Sequence, residues 1–216
     1  EHYAPAGVPR RKGPDGALGG PIADRLAAQR AASQRQRAAA MIVDLLDRAI
    51  PGTPHRVGLP GTRSGITAIG DLAALSGNGP ALLLYDVSNP AQPSEVGSWT
   101  GLTRIDAVAS DDSRLFALQA TSGVTVLDTT TPASLITVGD IALTETSRSL
   151  AAYGDLLLIG DTRGLVLVDV TTPAAPGTPA RVVDSGVAIA VAARADVALV
   201  AGAQRGVEII DLADTT

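Results

Sequence analysis

The chain has 216 residues, with 17 basic and 22 acidic side chains, no cysteine and two histidines. Its length suits one domain with an appendage or two small domains, and a hydrophobic content of 45% excludes a mainly disordered chain. Without cysteine there is no disulfide framework, thiolate nucleophile or cysteine-ligated metal centre. Two histidines nearly exclude a multi-histidine metal site, so we expect neither a metal nor another cofactor.

Charge divides the chain into a basic N-terminal segment and an acidic remainder. Residues 1–50 carry 8 basic and 5 acidic side chains, whereas residues 51–216 carry 9 and 17. An acidic body disfavours non-specific binding to nucleic acid, so we predict no nucleic-acid partner. No apolar run reaches the roughly 18 residues of a spanning helix, which predicts that no segment crosses a membrane, and no signal peptide is visible.

The first 20 residues are punctuated by proline and glycine and show no apolar period, which predicts an extended or disordered leader over 1–20. Within this leader lies a short basic cluster. It is either a solvated tail or a contact for an acidic partner, and it consists of Arg10, Arg11 and Lys12.

Residues 21–50 have high helix propensity and are followed by Pro51 and Gly52, which predicts an α-helix over 21–50. Ile42, Leu45 and Leu46 fall at helical spacing and give this helix an apolar face. Two interpretations remain open for that face. The helix either docks on the following domain or bridges to another protein chain.

The segment 54–216 contains a repeat of about 42 residues, whose clearest element is an apolar run that ends in aspartate. Four aspartates recur at almost constant spacing, and they are Asp86, Asp128, Asp169 and Asp211. A proline follows at the same short distance after each of the first three: Pro90, Pro132 and Pro173. Three further short apolar runs accompany each aspartate where the repeat is complete, so each repeat supplies about four strands.

Four short strands in about 42 residues are typical of one blade of a β-propeller. We therefore predict a mainly β fold with about four four-stranded blades over 54–216, preceded by the extended arm and the α-helix. Residues 55–59 resemble a fourth strand and could complete the last blade, begun at Ile189. The alternative is that these blades form part of a larger ring.

The stretch 165–176, Leu-Val-Leu-Val-Asp-Val-Thr-Thr-Pro-Ala-Ala-Pro, resembles the LVIVD repeat of bacterial and archaeal propeller proteins. Residues 82–93 and 124–132 follow the same pattern, and 207–211 match its first half. The resemblance covers about 55–216 and implies a β-propeller of a secreted or cell-surface protein, so we expect an extracellular or surface location. The second repeat departs from the pattern, because Leu135 stands where a second proline is expected.

The repeated aspartates are tempting site residues, but one active site has no use for four equivalents. An aspartate followed by Ser or Thr and then Pro is typical of a turn, so we interpret all four as structural. Asp111 and Asp112 form either a polar turn or a cation site, and turn chemistry is favoured because no calcium-loop pattern follows. His55 is the one histidine of the repeat domain that could act as a general base, but a lone histidine is more often an ordinary strand residue, and we favour that interpretation.

Trp99 is the single tryptophan, and it either anchors an interface or closes the outer edge of a blade. No nucleophile elbow or phosphate-binding loop is present. We therefore predict a non-catalytic module for protein interaction or structure in a surface assembly, with other protein chains as partners. The alternative is an enzyme or ligand sensor with a site at the axial mouth, and an oxidoreductase dependent on a quinone or metal is a weaker third hypothesis.

Overall fold

The computed structural model describes residues 39–42, 55–79, 81–194 and 196–212, all of which fall in one compact unit, 38–216. Within these ranges every regular element is a β-strand, which confirms the mainly β prediction. The leader 1–20 lies outside the described residues, as do Arg10, Arg11, Lys12, Leu45 and Leu46.

Four antiparallel sheets follow the repeat in chain order, and each is built from consecutive strands. The first blade contains β3 (Arg63–Ile69), β4 (Leu72–Gly77), β5 (Leu82–Asp86) and β6 (Ser94–Trp99). The second contains β7 (Ala107–Ser110), β8 (Arg114–Gln119), β9 (Gly123–Asp128) and β10 (Ile136–Ala142). The third contains β11 (Ser147–Tyr153), β12 (Leu156–Asp161), β13 (Gly164–Asp169) and β14 (Ala180–Asp184). The fourth has three strands, β15 (Ala188–Arg194), β16 (Val197–Gly202) and β17 (Gly206–Asp211).

The core lies between the blades, because each sheet is apolar on both faces. We call the face that contacts the next blade the leading face and the opposite one the rear face. In the first three blades the leading face carries Ala74, Leu82 and Leu84, then Phe116, Val124 and Val126, then Leu158, Leu165 and Leu167. All nine side chains are buried, and each set packs on aliphatic residues of the following blade. Burial of apolar area in these three interfaces is the main stabilising contribution.

The first strands of the blades, β3, β7, β11 and β15, pack side by side in chain order. Small residues allow this approach, since Ala107, Ala109, Ala151 and Ala190 occupy these strands. The last and first strands of the series, β15 and β3, do not pack on one another in the same way. The four blades therefore form an arc whose two ends carry different surfaces.

The helix predicted over 21–50 is wrong at Ala39–Ile42, which form strand β1. This strand pairs antiparallel with β2 (His55–Gly58), so that Ile42 lies opposite His55. Of the two alternatives for 55–59, completion of the last blade is not observed, because β2 pairs with β1 and the fourth blade has three strands among the described residues. Local helix propensity is a weak determinant, and tertiary pairing overrides it here.

Sequence analysis missed a signal for this pairing. Asp44 precedes Asp86 by the same interval that separates Asp86 from Asp128, so it is in phase with the repeat. The stretch 51–57, Pro-Gly-Thr-Pro-His-Arg-Val, differs from 176–182, Pro-Gly-Thr-Pro-Ala-Arg-Val, at one position. The second of these stretches leads into β14, the fourth strand of its blade, as the first leads into β2. Alanine-rich residues nearby favoured the helical interpretation and hid the repeat.

A second repeated contact joins the outer parts of the blades. A Cβ atom added at Gly97 on β6 would lie 2.0 Å from the carbonyl oxygen of Pro132 in the next blade. A Cβ at Gly139 on β10 would meet the carbonyl oxygen of Pro173 at the same distance. Glycine in the fourth strand is therefore required by the proline turn of the following blade. At the third interface, Ala180 stands where glycine is expected and Thr215 where proline is expected.

We predict that Gly139→Ala lowers the free energy of unfolding by about 1–3 kcal/mol, because the added methyl group would displace the turn at Pro173. Gly58→Ala is the matched control, since nothing lies within 4 Å of a Cβ added at that strand position. Urea unfolding of the two variants should differ, with the control within about 0.5 kcal/mol of the parent. Equal midpoints for the two variants would contradict the contact.

Candidate functional site

The aspartates of the repeat end the third strand of each blade and close a turn. The Asp86, Asp128 and Asp169 carboxylates accept hydrogen bonds from the backbone N–H two residues ahead at 2.8, 2.7 and 2.8 Å. Hydrogen bonds from Ser88, Thr130 and Thr171 lower the pKa of these three carboxyl groups below their usual value. Asp211 occupies the same position at the end of β17. Each of the three carboxylates stabilises its own turn, and the three are not brought together.

The prolines occupy a second turn directly after each aspartate. The N–H groups of Gln92, Ser134 and Ala175 donate to the carbonyl oxygens of Asn89, Thr131 and Thr172, at 2.9 to 3.0 Å. These bonds place Pro90, Pro132 and Pro173 at the second position of a β-turn, where the fixed φ of proline is favourable. The turns then present the carbonyl groups that meet Gly97 and Gly139 of the preceding blades.

A partly buried arginine that sequence analysis did not select departs from the repeat. Arg114 begins β8 at the position that Leu72, Leu156 and Val197 occupy in the other blades. Its guanidinium pairs with Asp111 at 2.5 Å and donates to the carbonyl of Val170 in the third blade. It also lies 5.5 Å from the ring centroid of Phe116. The break in the apolar pattern at this position was the signal available in the sequence.

Arg114 lines a cleft of about 500 Å³ between the second and third blades, together with Asp128, Asp155 and Pro173. Its guanidinium is 3.8 Å from the Asp155 carboxylate. Asp111 is a turn residue here, because its carboxylate accepts the N–H groups of Ser113 and Arg114. The contacts of Arg114 with the Val170 carbonyl and with Asp155 join the second and third blades.

A second ion pair, with a buried carboxylate, lies within the third blade. Asp161, at the end of β12, is buried, and its carboxylate receives two hydrogen bonds from Arg181 on β14, at 3.0 and 2.6 Å. The N–H groups of Arg163 and Gly164 also donate to it. Burial by itself raises the pKa of Asp161, but the bonds from Arg181 and the two N–H groups outweigh this and lower it below its ordinary value.

The first strands of the blades carry hydroxyl groups that bond across the boundary between the first two blades. The hydroxyl oxygens of Thr67 and Ser110 are 2.7 Å apart, and Ser110 donates to the carbonyl of Ala68 at 2.9 Å. Ser64 donates to the carbonyl of Ile105. These groups satisfy one another between blades, which is a structural arrangement.

In the described ranges, no group of three or more His, Asp or Glu side chains is placed to hold a metal ion. The same part of the chain contains no helix long and apolar enough to cross a membrane.

His55 lies in β2, opposite Ile42. Trp99 ends β6 and packs against the aliphatic cluster between the first and second blades, close to Gly101.

One large apolar surface remains, on the leading face of the fourth blade. Leu199, Val207 and Ile209 are 43%, 64% and 73% exposed. By strand register, Ile209 is equivalent to Leu84, Val126 and Leu167, and all three of these are buried by the next blade. The exposed set therefore has the composition of an interblade interface, and no other blade within the described residues covers it. Sequence analysis missed it, because the repeat makes these residues look like ordinary core.

In these antiparallel sheets the strands follow one another in chain order. The sheets pack on one another face to face, and their first strands lie side by side. This arrangement defines a β-propeller. The LVIVD repeat model matches residues 64–101 and 146–184, which correspond to the first and third blades. The chain therefore contains LVIVD repeats, and the resemblance inferred from the sequence is confirmed. No curated protein matches the chain.

Solved structures share the fold at low identity. The computationally designed Ika4 protein is 12% identical with a TM-score of 0.57, over 72% of this chain and 94% of its own. The designed Ika8 protein is 11% identical with a TM-score of 0.59, over 74% of this chain and 50% of its own. A chain in a crystal structure of the Mitotic Checkpoint Complex is 13% identical with a TM-score of 0.64, over 83% and 57%. Identities this low establish the fold alone.

We predict that Asp161→Asn lowers the free energy of unfolding at pH 7 by roughly 1–3 kcal/mol, because Arg181 loses its charged partner. The folded-state pKa of Asp161 is lowered, so its contribution is present above the ordinary value of 3.8 and is lost as the pH falls through the folded-state pKa. The difference from the parent should therefore shrink below about pH 4.

Asp184→Asn serves as the control, since the Asp184–Arg163 pair is about half exposed on both sides and such pairs contribute little. Urea unfolding between pH 3 and pH 8 compares the three proteins. A pH-independent difference between Asp161→Asn and the parent would show that the carboxylate charge is not the source.

Proposed function

We propose that the protein is a non-catalytic β-propeller module that binds another protein through the leading face of its fourth blade. The observation that carries the proposal is the exposure of Leu199, Val207 and Ile209, whose equivalents are buried in every other blade. An apolar patch of this kind on a soluble domain is typical of a protein-interaction surface. Among the described residues β17 is an edge strand, so it adds backbone groups along one side of the patch.

The chemistry elsewhere supports a structural role. The shifted carboxyl pKa values belong to Asp86, Asp128, Asp161 and Asp169, and all four carboxylates are held by turn N–H groups or an arginine. Perturbed groups at an active site would converge on one cleft. In the Arg114 cleft the guanidinium is committed to Asp111 of its own turn and to the Val170 carbonyl of the third blade.

The proposed assembly lies outside the cell or at its surface, as the resemblance to LVIVD-repeat proteins implies. The acidic remainder of the chain supports a protein partner rather than nucleic acid. The basic cluster of the leader is a second proposed contact, for an acidic surface of the same assembly: Arg10, Arg11 and Lys12.

Site-specific photo-crosslinking tests the proposal. With p-benzoylphenylalanine in place of Ile209, irradiation of the producing cells should give discrete adducts with one protein. The same group in place of Ile136, an apolar residue on β10 that is 61% exposed, should not. Adding Val207→Asp should remove the adducts from position 209, because a charge in the patch opposes burial. Equal adducts at the two positions, or adducts that survive Val207→Asp, would contradict it.

A further inference from the structure

The connection between β4 and β5 contains Asn78 and Gly79, which have no part in the function proposed above. Both residues are exposed, and they form the only asparagine–glycine pair in the sequence. Because glycine has no Cβ atom, its backbone nitrogen is less hindered than that of other residues when it approaches the preceding side chain. Nothing lies within 4 Å of a Cβ atom added at Gly79, so there is room for this approach.

The one other asparagine of the sequence provides a comparison. Asn89 is also exposed, but the residue after it is Pro90, whose nitrogen carries no hydrogen. The side-chain oxygen of Asn89 also accepts a hydrogen bond from the N–H of Ala91 at 3.1 Å. Asn89 therefore resembles Asn78 in its exposure, but it has no backbone nucleophile directly after it.

A cation lies beside the peptide group that joins Asn78 to Gly79. The Nε atom of Arg63 donates to the carbonyl oxygen of Pro60 at 3.1 Å, and Nη2 donates to the same oxygen, so the guanidinium is held in place. This Nη2 atom also lies 3.5 Å from the carbonyl oxygen of Asn78. When the N–H of Gly79 loses its proton, the peptide group shares the negative charge with that oxygen. A guanidinium at this position therefore stabilises the deprotonated form.

We propose that Asn78 is a site of spontaneous deamidation, in which the nitrogen of Gly79 is the nucleophile and Arg63 stabilises its deprotonated form. Hydroxide takes the amide proton of Gly79, and the nitrogen attacks the side-chain carbonyl carbon of Asn78. The new C–N bond closes a succinimide ring, while the bond to the side-chain nitrogen breaks and ammonia leaves with a proton from solvent. Water then opens the ring at either carbonyl and yields aspartate or isoaspartate. The net reaction consumes water and releases ammonia.

Mass spectrometry of the purified full-length chain tests the proposal, which does not depend on the function proposed above. Trypsin releases residues 64–104 as one peptide with both asparagines, so fragment ions assign the added mass to either position. After incubation of the folded chain at pH 8, the product at Asn78 should exceed that at Asn89 roughly tenfold or more, because Pro90 offers no nucleophile. No product at Asn78 in the folded chain, or equal product at the two positions, would overturn the proposal.

Three variants test the part assigned to Arg63. Arg63→Gln should slow deamidation at Asn78 about threefold or more, because the deprotonated peptide group loses its cationic neighbour, and Arg63→Lys should restore part of the rate. Arg104→Gln is the matched control, since Arg104 lies opposite Asn78 in a β-bridge but its guanidinium pairs with Asp106. In urea, which removes the contacts of the fold, the parent and the variants should react at the same rate. An unchanged rate in folded Arg63→Gln, or an equal loss in Arg104→Gln, would overturn the role of Arg63.

Discussion

Each blade of this protein depends on a neighbour to bury an aliphatic face. A sheet of Leu, Val, Ile and Ala with both faces apolar is stable only when each face is covered. The first three blades meet this requirement through one repeated contact, in which Leu84, Val126 and Leu167 pack against the next blade. With a single phenylalanine and a single tryptophan in the chain, the interfaces rely on aliphatic complementarity rather than on aromatic anchors.

The need to cover both apolar faces of each sheet also determines which side chains are exposed at the two ends of the arc. At one end the leading face of the fourth blade has no cover, so Ile209 is exposed. At the other end Val57 and Leu59 pack on the rear face of the first blade, whereas Ile66 of the same blade is exposed. In the part of the chain that the structure describes, the leading face of the fourth blade is thus a fragment of an interblade interface.

Sequence analysis predicted the strands and turns that recur in each repeat, and it missed the features in which single repeats differ from the others. The spacing of Asp86, Asp128 and Asp169 was sufficient to predict the blades, because equivalent strands and turns recur at fixed intervals. The helix prediction failed at Ala39–Ile42, where local propensity disagreed with a pairing partner in a separate segment, His55–Gly58. Arg114 was overlooked because its role depends on the third blade, and the exposure of Ile209 depends on a missing neighbour. Neither property is contained in a local pattern.

Amide hydrogen exchange of the purified chain tests the central claim, that each blade is completed by its neighbours and the fourth is left open. The third strands β13 and β17 have equivalent positions in the repeat, but β13 lies between two strands and is covered by the fourth blade. Amides of β13 should exchange only through global unfolding, and those of β17 at least a hundredfold faster through local opening, a difference of about 2.7 kcal/mol or more. Equal protection of β13 and β17 would contradict the account.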